Sequence, residues 1–83
     1  MKVFELVPNN GRKSFNGKCK VIIDNDISTL VSYTTNVAEY NHINNKIKIL
    51  IDEVSTTTMI HINSFLNYYG FDNLSKKDLI KFQ

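Results

Sequence analysis

The side chains with catalytic or metal-binding potential are few. The chain has two histidines, His42 and His61, and one cysteine, Cys19. Ser64 follows His61 by three residues on a predicted helix, and a serine activated by a histidine can act as a nucleophile. The sequence supplies no third group to orient the histidine and no oxyanion hole, and no carboxylate lies at metal-ligand spacing beside either histidine. We therefore predict that the protein is not an enzyme, that it holds no metal or cofactor, and that His61 is exposed or lies in an interface.

Four lysines occur in two segments with strand-like alternation: Lys18, Lys20, Lys46 and Lys48. If these strands lie in one sheet, the lysines share the face opposite the main helix. Such a face can hold a nucleic-acid backbone or an acidic protein. It can also be only a solvated surface that discourages edge-to-edge association. The net charge of +2 and the single arginine favour the solvated surface, and they make nucleic acid a less favoured partner.

A third candidate is the loop in which Arg12, Lys13 and Phe15 lie between Gly11 and Gly17. This composition can bind a phosphate or a carboxylate, with the ring stacked on a base or a partner side chain. The alternative is an ordinary loop in which Phe15 covers the edge of the core. The Gly-Lys-Ser/Thr ending of a phosphate-cradling P-loop is missing. The sequence favours the ordinary loop and keeps the binding of a nucleotide signal as an alternative.

Residues 55–70 predict the one long helix of the chain. Ser55 or Thr56 can accept a hydrogen bond from an amide of the first turn, and Gly70 can adopt the left-handed conformation that ends a helix. Apolar side chains recur on one side at three- and four-residue spacing, and they are Met59, Ile62, Phe65, Leu66 and Tyr69. We predict that this side closes the core.

A second stripe, formed by Ile60 and Tyr68 with Ser64 between them, lies roughly opposite the first one. The C-terminal residues Leu79, Ile80 and Phe82 could pack on this stripe. Otherwise the stripe is an exposed apolar patch that, with His61, suits a protein–protein or self-association interface. The sequence leaves both alternatives open, and a homodimer with them.

The rest of the chain predicts strands and a short final helix. Four segments alternate with the period of a strand, at residues 2–7, 17–24, 27–40 and 46–52. The segment 27–40 is interpreted as one long strand with a bend near Thr35 and Asn36, and Asn25-Asp26 as a tight turn. Ser75–Asp78 resembles a capping box. We predict one α+β domain, residues 1–83, in which a three- or four-stranded antiparallel meander sheet is covered on one face by the main helix.

The cysteine count and the distribution of apolar residues indicate the cellular compartment. A lone cysteine allows no internal disulfide, which fits a reducing cytoplasm. The sequence has no long apolar run of the kind that forms a secretory signal or a membrane span. We therefore expect a cytoplasmic protein that does not interact with membranes.

Three segments resemble a family of small uncharacterised proteins from phages, plasmids and other mobile elements of low-GC bacteria: residues 13–21, 32–38 and 55–66. The shared pattern is Lys-Ser-Phe followed by Lys-x-Lys-Val, then Ser-Tyr-x-Thr-x-Val-Ala, then Thr-Thr-x-x-His-Ile-x-x-Phe-Leu. Asn16 departs from it, because an aromatic residue often follows the phenylalanine. The resemblance implies residence in the cytoplasm of a bacterium that carries the element, and it transfers no catalytic residue.

Small proteins of mobile elements are often accessory factors that bind a host protein, which is an analogy and not a physical inference. Our leading hypothesis is a non-enzymatic inhibitor of a host protein, such as an anti-CRISPR or another anti-defence protein. The candidate partner-binding residues are Arg12, Lys13, Phe15, Lys18, Lys20, Lys46, Lys48, Ile60, His61 and Tyr68. The alternatives are a small nucleic-acid-binding factor that uses the lysine face and a nucleotide-binding protein that uses the Arg12–Lys13 loop.

Overall fold

The computed structural model describes residues 2–7 and 17–79. These residues form five strands and two helices: β1 (Lys2–Glu5), β2 (Cys19–Asp24), β3 (Ile27–Ser32), β4 (Thr35–Asn41), β5 (Lys46–Ile49), α1 (Thr56–Tyr68) and α2 (Lys76–Leu79). The strands make one antiparallel sheet in the order β1-β2-β3-β4-β5, so each described strand pairs with the next along the chain. The α+β class and the meander order are confirmed. The sheet has five strands, whereas the sequence predicts three or four.

The additional strand arises because residues 27–40 form a hairpin, so the prediction of one long strand is wrong. A two-residue turn at Tyr33 and Thr34 joins β3 to β4. Tyr33 has a φ of 60°, in the left-handed region that non-glycine residues seldom adopt. Its N–H donates to the carbonyl of Lys18 at 2.7 Å. Sequence reasoning misses this turn because it contains none of the residues by which turns are recognised.

The other hairpin turns between β2 and β5 lie where the sequence predicts them. Asn25 and Asp26 join β2 to β3, and Asn25 takes a φ of 55°. Asparagine tolerates this region because its short polar side chain can bond locally. Between β4 and β5, Asn45 has a φ of 56°, and Asn41 Oδ1 accepts a hydrogen bond from the Ile43 N–H at 2.9 Å.

The pairing of β3 with β4 contains an irregularity. Leu30 lies opposite Ala38, but Val31 lies opposite Asn36, so Val37 is one residue more than β3 can match. Such a bulge bends the strand and increases its twist. The adjacent residues Val37 and Ala38, at this irregularity, are both buried in the core.

The core lies between α1 and the inner face of the sheet. It consists of Leu6, Cys19, Val21, Leu30, Val37, Ala38, Tyr40, Ile47, Ile49, Ile62, Phe65, Leu66 and Leu79. On β5, Ile47 and Ile49 point inward as predicted. Ile51, which follows the strand, packs against the core. On the helix, Met59 and Tyr69 flank the buried residues. The predicted apolar side of α1 therefore faces the sheet.

Both ends of α1 are capped as the sequence predicts. Ser55 Oγ accepts a hydrogen bond from the N–H three residues later at 3.1 Å. At the other end Gly70 has a φ of 85°. The Gly70 N–H donates to the carbonyl of Asn67 at 3.1 Å, and the Phe71 N–H donates to the carbonyl of Leu66 at 2.9 Å. These two bonds form a Schellman motif.

The segment after α1 runs back beside it. Asn63 Oδ1 accepts from the Leu74 N–H at 2.8 Å, and Asn63 Nδ2 donates to the Leu74 carbonyl at 3.2 Å. The Ser75 N–H and hydroxyl both donate to Asp78 Oδ2, at 3.2 and 3.0 Å, so the predicted cap is formed on its acidic side. Leu79 is buried in the core. Neither helix of the described residues has the length and apolar character needed to cross a bilayer.

Replacing Gly70 with alanine tests the left-handed end of α1. A Cβ at this position would meet no atom within 4 Å, so the expected effect comes from the backbone alone. We expect Gly70→Ala to lower the free energy of unfolding in urea by about 1 kcal/mol. Gly70→Asn is the matched control, because asparagine tolerates positive φ, and it should lose clearly less. Equal losses for both variants would contradict the assignment of the cap.

Candidate interaction surface

Two serines on the inner face of β3 are buried and bonded to groups from other elements. Ser32 Oγ lies 2.7 Å from Nδ1 of His61 on α1. Ser28 Oγ lies 2.7 Å from the hydroxyl of Tyr69 and 2.6 Å from Nε2 of His42. A buried hydroxyl left without a partner costs about 1–3 kcal/mol. These hydrogen bonds therefore offset the cost of burying two serine hydroxyls under α1.

His61 is buried, with 1% of its surface exposed, so the expectation of an exposed or interface histidine is wrong. Its side chain is rotated by about 100° from that of Ile62, at the margin of the apolar side of α1. There it meets Ser32, and its ring centre lies 5.8 Å from that of Tyr33. A hydrogen-bonded imidazole can be buried at this margin because its polar atom is satisfied.

The two hydrogen bonds from β3 to the helix match in spacing. Ser28 and Ser32 are four residues apart, which is about 13 Å along a strand. Their partners Tyr69 and His61 are eight residues apart, which is about 12 Å along a helix. The helix therefore runs antiparallel to β3, and both ends of β3 are bonded to it, one at the middle of α1 and one at its C-terminal end. A shift by one helical turn would break both bonds together.

The Ser–His pairs join elements of the fold. Ser28 is fully buried and Ser32 nearly so, so neither hydroxyl has an open path to a substrate. Their bonds to α1 and to the β4–β5 turn account for both side chains. Among residues 2–7 and 17–79, no three His, Cys, Asp or Glu side chains are grouped in a way that could hold a metal ion.

Aromatic rings form a chain across the C-terminal end of α1. The ring of Phe4 on β1 lies 5.3 Å from Tyr68, which stacks on Tyr69 at 5.0 Å. Tyr69 stacks on Tyr40 at 4.3 Å, and Tyr40 meets His42 edge-on at 4.7 Å. Burial raises the pKa of the Tyr69 hydroxyl, and the hydrogen bond to Ser28 opposes this shift. The chain of rings ties β1, α1 and β4 together.

The stripe of Ile60, Ser64 and Tyr68 does not form one exposed patch. Ser64 is buried although it lies opposite the core side of α1, and Ile60 is half-buried and packs against the core. Tyr68 is 55% exposed. Residues 80–83, which include the predicted covering residues Ile80 and Phe82, lie outside the described part of the chain. Tyr68 is thus the exposed member of this stripe.

The outer face of the sheet carries three of the four predicted lysines, and each has a described cross-strand neighbour. Lys20 lies opposite Glu5, and Lys48 lies opposite Glu39. Residues directly opposite in an antiparallel pair have Cβ atoms about 5 Å apart, so each of these two lysines lies beside a glutamate. Lys46 lies opposite Asn41. The charge on this face is therefore mixed and not purely basic.

Lys18 precedes β2 and lies at the end of the sheet. Its Nζ is 5.8 Å from the ring centre of Tyr33, within the range of a cation–π contact. Arg12, Lys13 and Phe15, the loop candidates, fall in residues 8–16, outside the described part of the chain. Their proposed roles stay predictions.

Apolar side chains accompany the charges on the outer face. Val3 lies opposite Ile22 and is 57% exposed. Ile22 and Ile27 are half-buried, and Val31 is buried at one end of the face. No described helix lies over these residues. As far as the described residues go, the outer face thus combines apolar side chains with charged neighbours, which is the composition of many protein interfaces.

Sequence reasoning misses the serines of the inner face and the glutamates of the outer face. Ser28 and Ser32 alternate with Leu30, so an inward Leu30 would have placed both serines inward, but their partners lie at least 14 residues away. Glu5 and Glu39 become neighbours of lysines only through the strand register. Non-local pairing supplies this information, and single-segment patterns do not contain it.

A double-mutant cycle tests the bond between β3 and the end of α1. Ser28→Ala and Tyr69→Phe each remove one hydroxyl, and we expect each to lower the free energy of unfolding by about 1–2 kcal/mol. The double variant should lose less than the sum, with a coupling of about 1 kcal/mol. Tyr68→Phe, on the exposed neighbour, should change stability by less than about 0.5 kcal/mol. Additive losses in urea unfolding would refute the bond.

The thiol of Cys19 provides a second test. Cys19 is fully buried, and burial raises its pKa to about 12. Because the thiolate is the reactive form, we expect a disulfide reagent at pH 8 to react roughly a hundredfold or more slowly with the native protein than with the protein in urea. The control is free cysteine under the same two conditions. A native rate close to that of free cysteine would show that the inner face is open.

Comparison with known proteins adds one assignment. No curated protein and no solved structure matches the chain. A family of unknown function, DUF8033, matches residues 2–81, which include every described strand and helix. The chain is therefore a member of the DUF8033 family.

Proposed function

We propose that the protein is a non-enzymatic binding protein that uses the outer face of its sheet to bind a partner protein. The observation that supports this function is the division of the sheet into two unlike faces. The helix α1 covers the inner face. The buried serines of that face, Ser28 and Ser32, are hydrogen-bonded to Tyr69 and His61. The outer face presents Val3, Ile22 and Ile27 beside charges of both signs. Exposed apolar surface rimmed by polar residues is typical of protein interaction sites.

The mixed charge favours a protein over a nucleic acid. A polyanion gains affinity from lysines that release counterions at each phosphate. Here Glu5 stands opposite Lys20 and Glu39 opposite Lys48, so a phosphate chain crossing the face would meet carboxylates as well. A partner protein can match such paired charges with its own, which favours specificity.

The biological setting of this proposal comes from the resemblance to small proteins of phages and mobile elements. A host protein, such as a component of an antiviral defence system, is the partner that this setting implies. The protein would inhibit its partner by covering a functional surface. This part of the proposal rests on analogy, whereas the binding face rests on residues of the described sheet.

Matched charge reversals test the face. The bait is the protein purified from a bacterium that carries the element, and the readout is the amount of a stoichiometric co-purified protein. We expect Lys48→Glu to lower capture at least about tenfold, because it replaces a positive charge with a carboxylate directly opposite Glu39 on the outer face. Lys77→Glu is the control: it makes the same charge change on α2, where the lysine is exposed. We expect capture by this variant to match that of the unchanged protein.

Other outcomes separate the alternatives. Loss of capture with Tyr68→Ala but not with Lys48→Glu would move the interface to the exposed end of α1. Binding of DNA or RNA at low salt, with a log affinity that falls linearly with log salt, would support the nucleic-acid alternative. Co-purification of only a second copy of the chain would make the face a dimer interface. Absence of any stoichiometric partner would contradict the proposal.

A further inference from the structure

A groove crosses the outer face over β2, β3 and β4. Its volume is about 420 Å³, and its lining residues are Ile22, Asp24, Asn25, Ile27, Thr29 and Asn36. Sites for small ligands occupy about 300–1,000 Å³, so one long side chain fits with room to spare. We propose that this groove binds an arginine side chain of the partner protein. The inference rests on the proposed function and names the chemistry of the partner at that face.

The floor of the groove suits an aliphatic stem. Ile22 lies opposite Thr29 on β3, and Ile27 lies opposite Asp24 on β2. Both isoleucines are half-buried, so each still has apolar surface to cover. A long cationic side chain packs its methylene groups on such surface and keeps its charged head at a polar end.

The polar rim selects a cation. Among the described residues of the lining, Asp24 is the charged one, and it is exposed at the end of β2 beside the turn to β3. Asn25, Asn36 and Thr29 add carbonyl and hydroxyl oxygens that can accept hydrogen bonds. Its described lining residues therefore present a negative charge and several acceptors, and they include no lysine or arginine.

Arginine fits this rim better than lysine. Its planar guanidinium has five N–H donors in a fixed fork, which can bond a carboxylate with two of them and reach amide oxygens with the others. The ammonium of lysine carries three donors at one point and is more strongly hydrated. The lysines on the same face lie outside the groove, at Lys20, Lys46 and Lys48. Acidic residues beside the arginine of the partner would find their counter-charges there.

The test uses the full chain and a capped amino acid in place of the unidentified partner. The probe is N-acetyl-arginine methylamide, and the control ligand is the citrulline analogue, which has nearly the same shape and no charge. Amide chemical shifts are followed by NMR during titration. We expect the arginine probe to shift the amides of Asp24, Asn25 and Ile27 in a saturable way. We expect the citrulline probe to bind roughly tenfold more weakly or not at all.

Two variants and one control locate the site. Asp24→Asn should weaken binding of the arginine probe roughly tenfold, and Asp52→Asn, which neutralises an exposed carboxylate outside the lining, should not change it. Asn36→Lys brings a cation into the groove from β4 and should abolish binding even if Asp24→Asn disturbs its turn. Equal shifts with citrulline, unchanged binding in both groove variants, or shifts confined to another surface would overturn the inference.

The outcome is separable from that of the proposed function. A partner protein whose capture depends on Lys48 but is unaffected by Asp24→Asn would leave the binding face intact and remove the arginine groove. Saturable binding of the arginine probe at Asp24, in a protein that captures no partner, would support the groove and contradict the proposed function. In that case the groove holds a cationic group, and the proposed function fails.

Discussion

The hydrogen bonds of the inward-facing hydroxyls of β3 are the constraint on which the rest of the structure depends. Ser28 and Ser32 lie beneath α1, where water cannot satisfy them, so each needs a protein partner. Those partners are His61 in the middle of α1, Tyr69 at its C-terminal end, and His42 in the β4–β5 turn. Apolar packing brings the helix onto the sheet without fixing its position closely. The directional bonds select one position along the strand.

The two faces of the sheet differ in how much of their surface is used for packing. The inner face uses the sheet residues for stability, and the chain of aromatic rings extends that packing from β1 to β4. The buried hydroxyls of that face, on Ser28 and Ser32, are already hydrogen-bonded to other elements. Among the described elements, no helix packs on the outer face, yet this face has exposed apolar side chains such as Val3. Exposed apolar surface beside charges of both signs is what supports the proposed binding face.

Local signals predict much of the fold. The alternation in β2 and β5, the Ser55 cap and the Gly70 end of α1 all follow from residues close in sequence. The β3–β4 turn is missed because Tyr33 takes a left-handed conformation with no glycine or asparagine to mark it. The burial of His61 is missed because its partner Ser32 is 29 residues away. The same limit applies to the interaction surface, since the lysine positions are predictable but the glutamates beside them depend on register.

The stacked tyrosines give the molecule an intrinsic spectroscopic reporter. The chain contains no tryptophan, so its near-ultraviolet circular dichroism comes mainly from tyrosine rings held in asymmetric surroundings. Tyr40 on β4 and Tyr69 at the end of α1 stack on each other only while the helix is docked. Near-ultraviolet signals are lost when fixed side-chain packing is lost, even where backbone structure persists. Undocking of the helix is therefore visible in the unlabelled protein, separately from the melting of its strands.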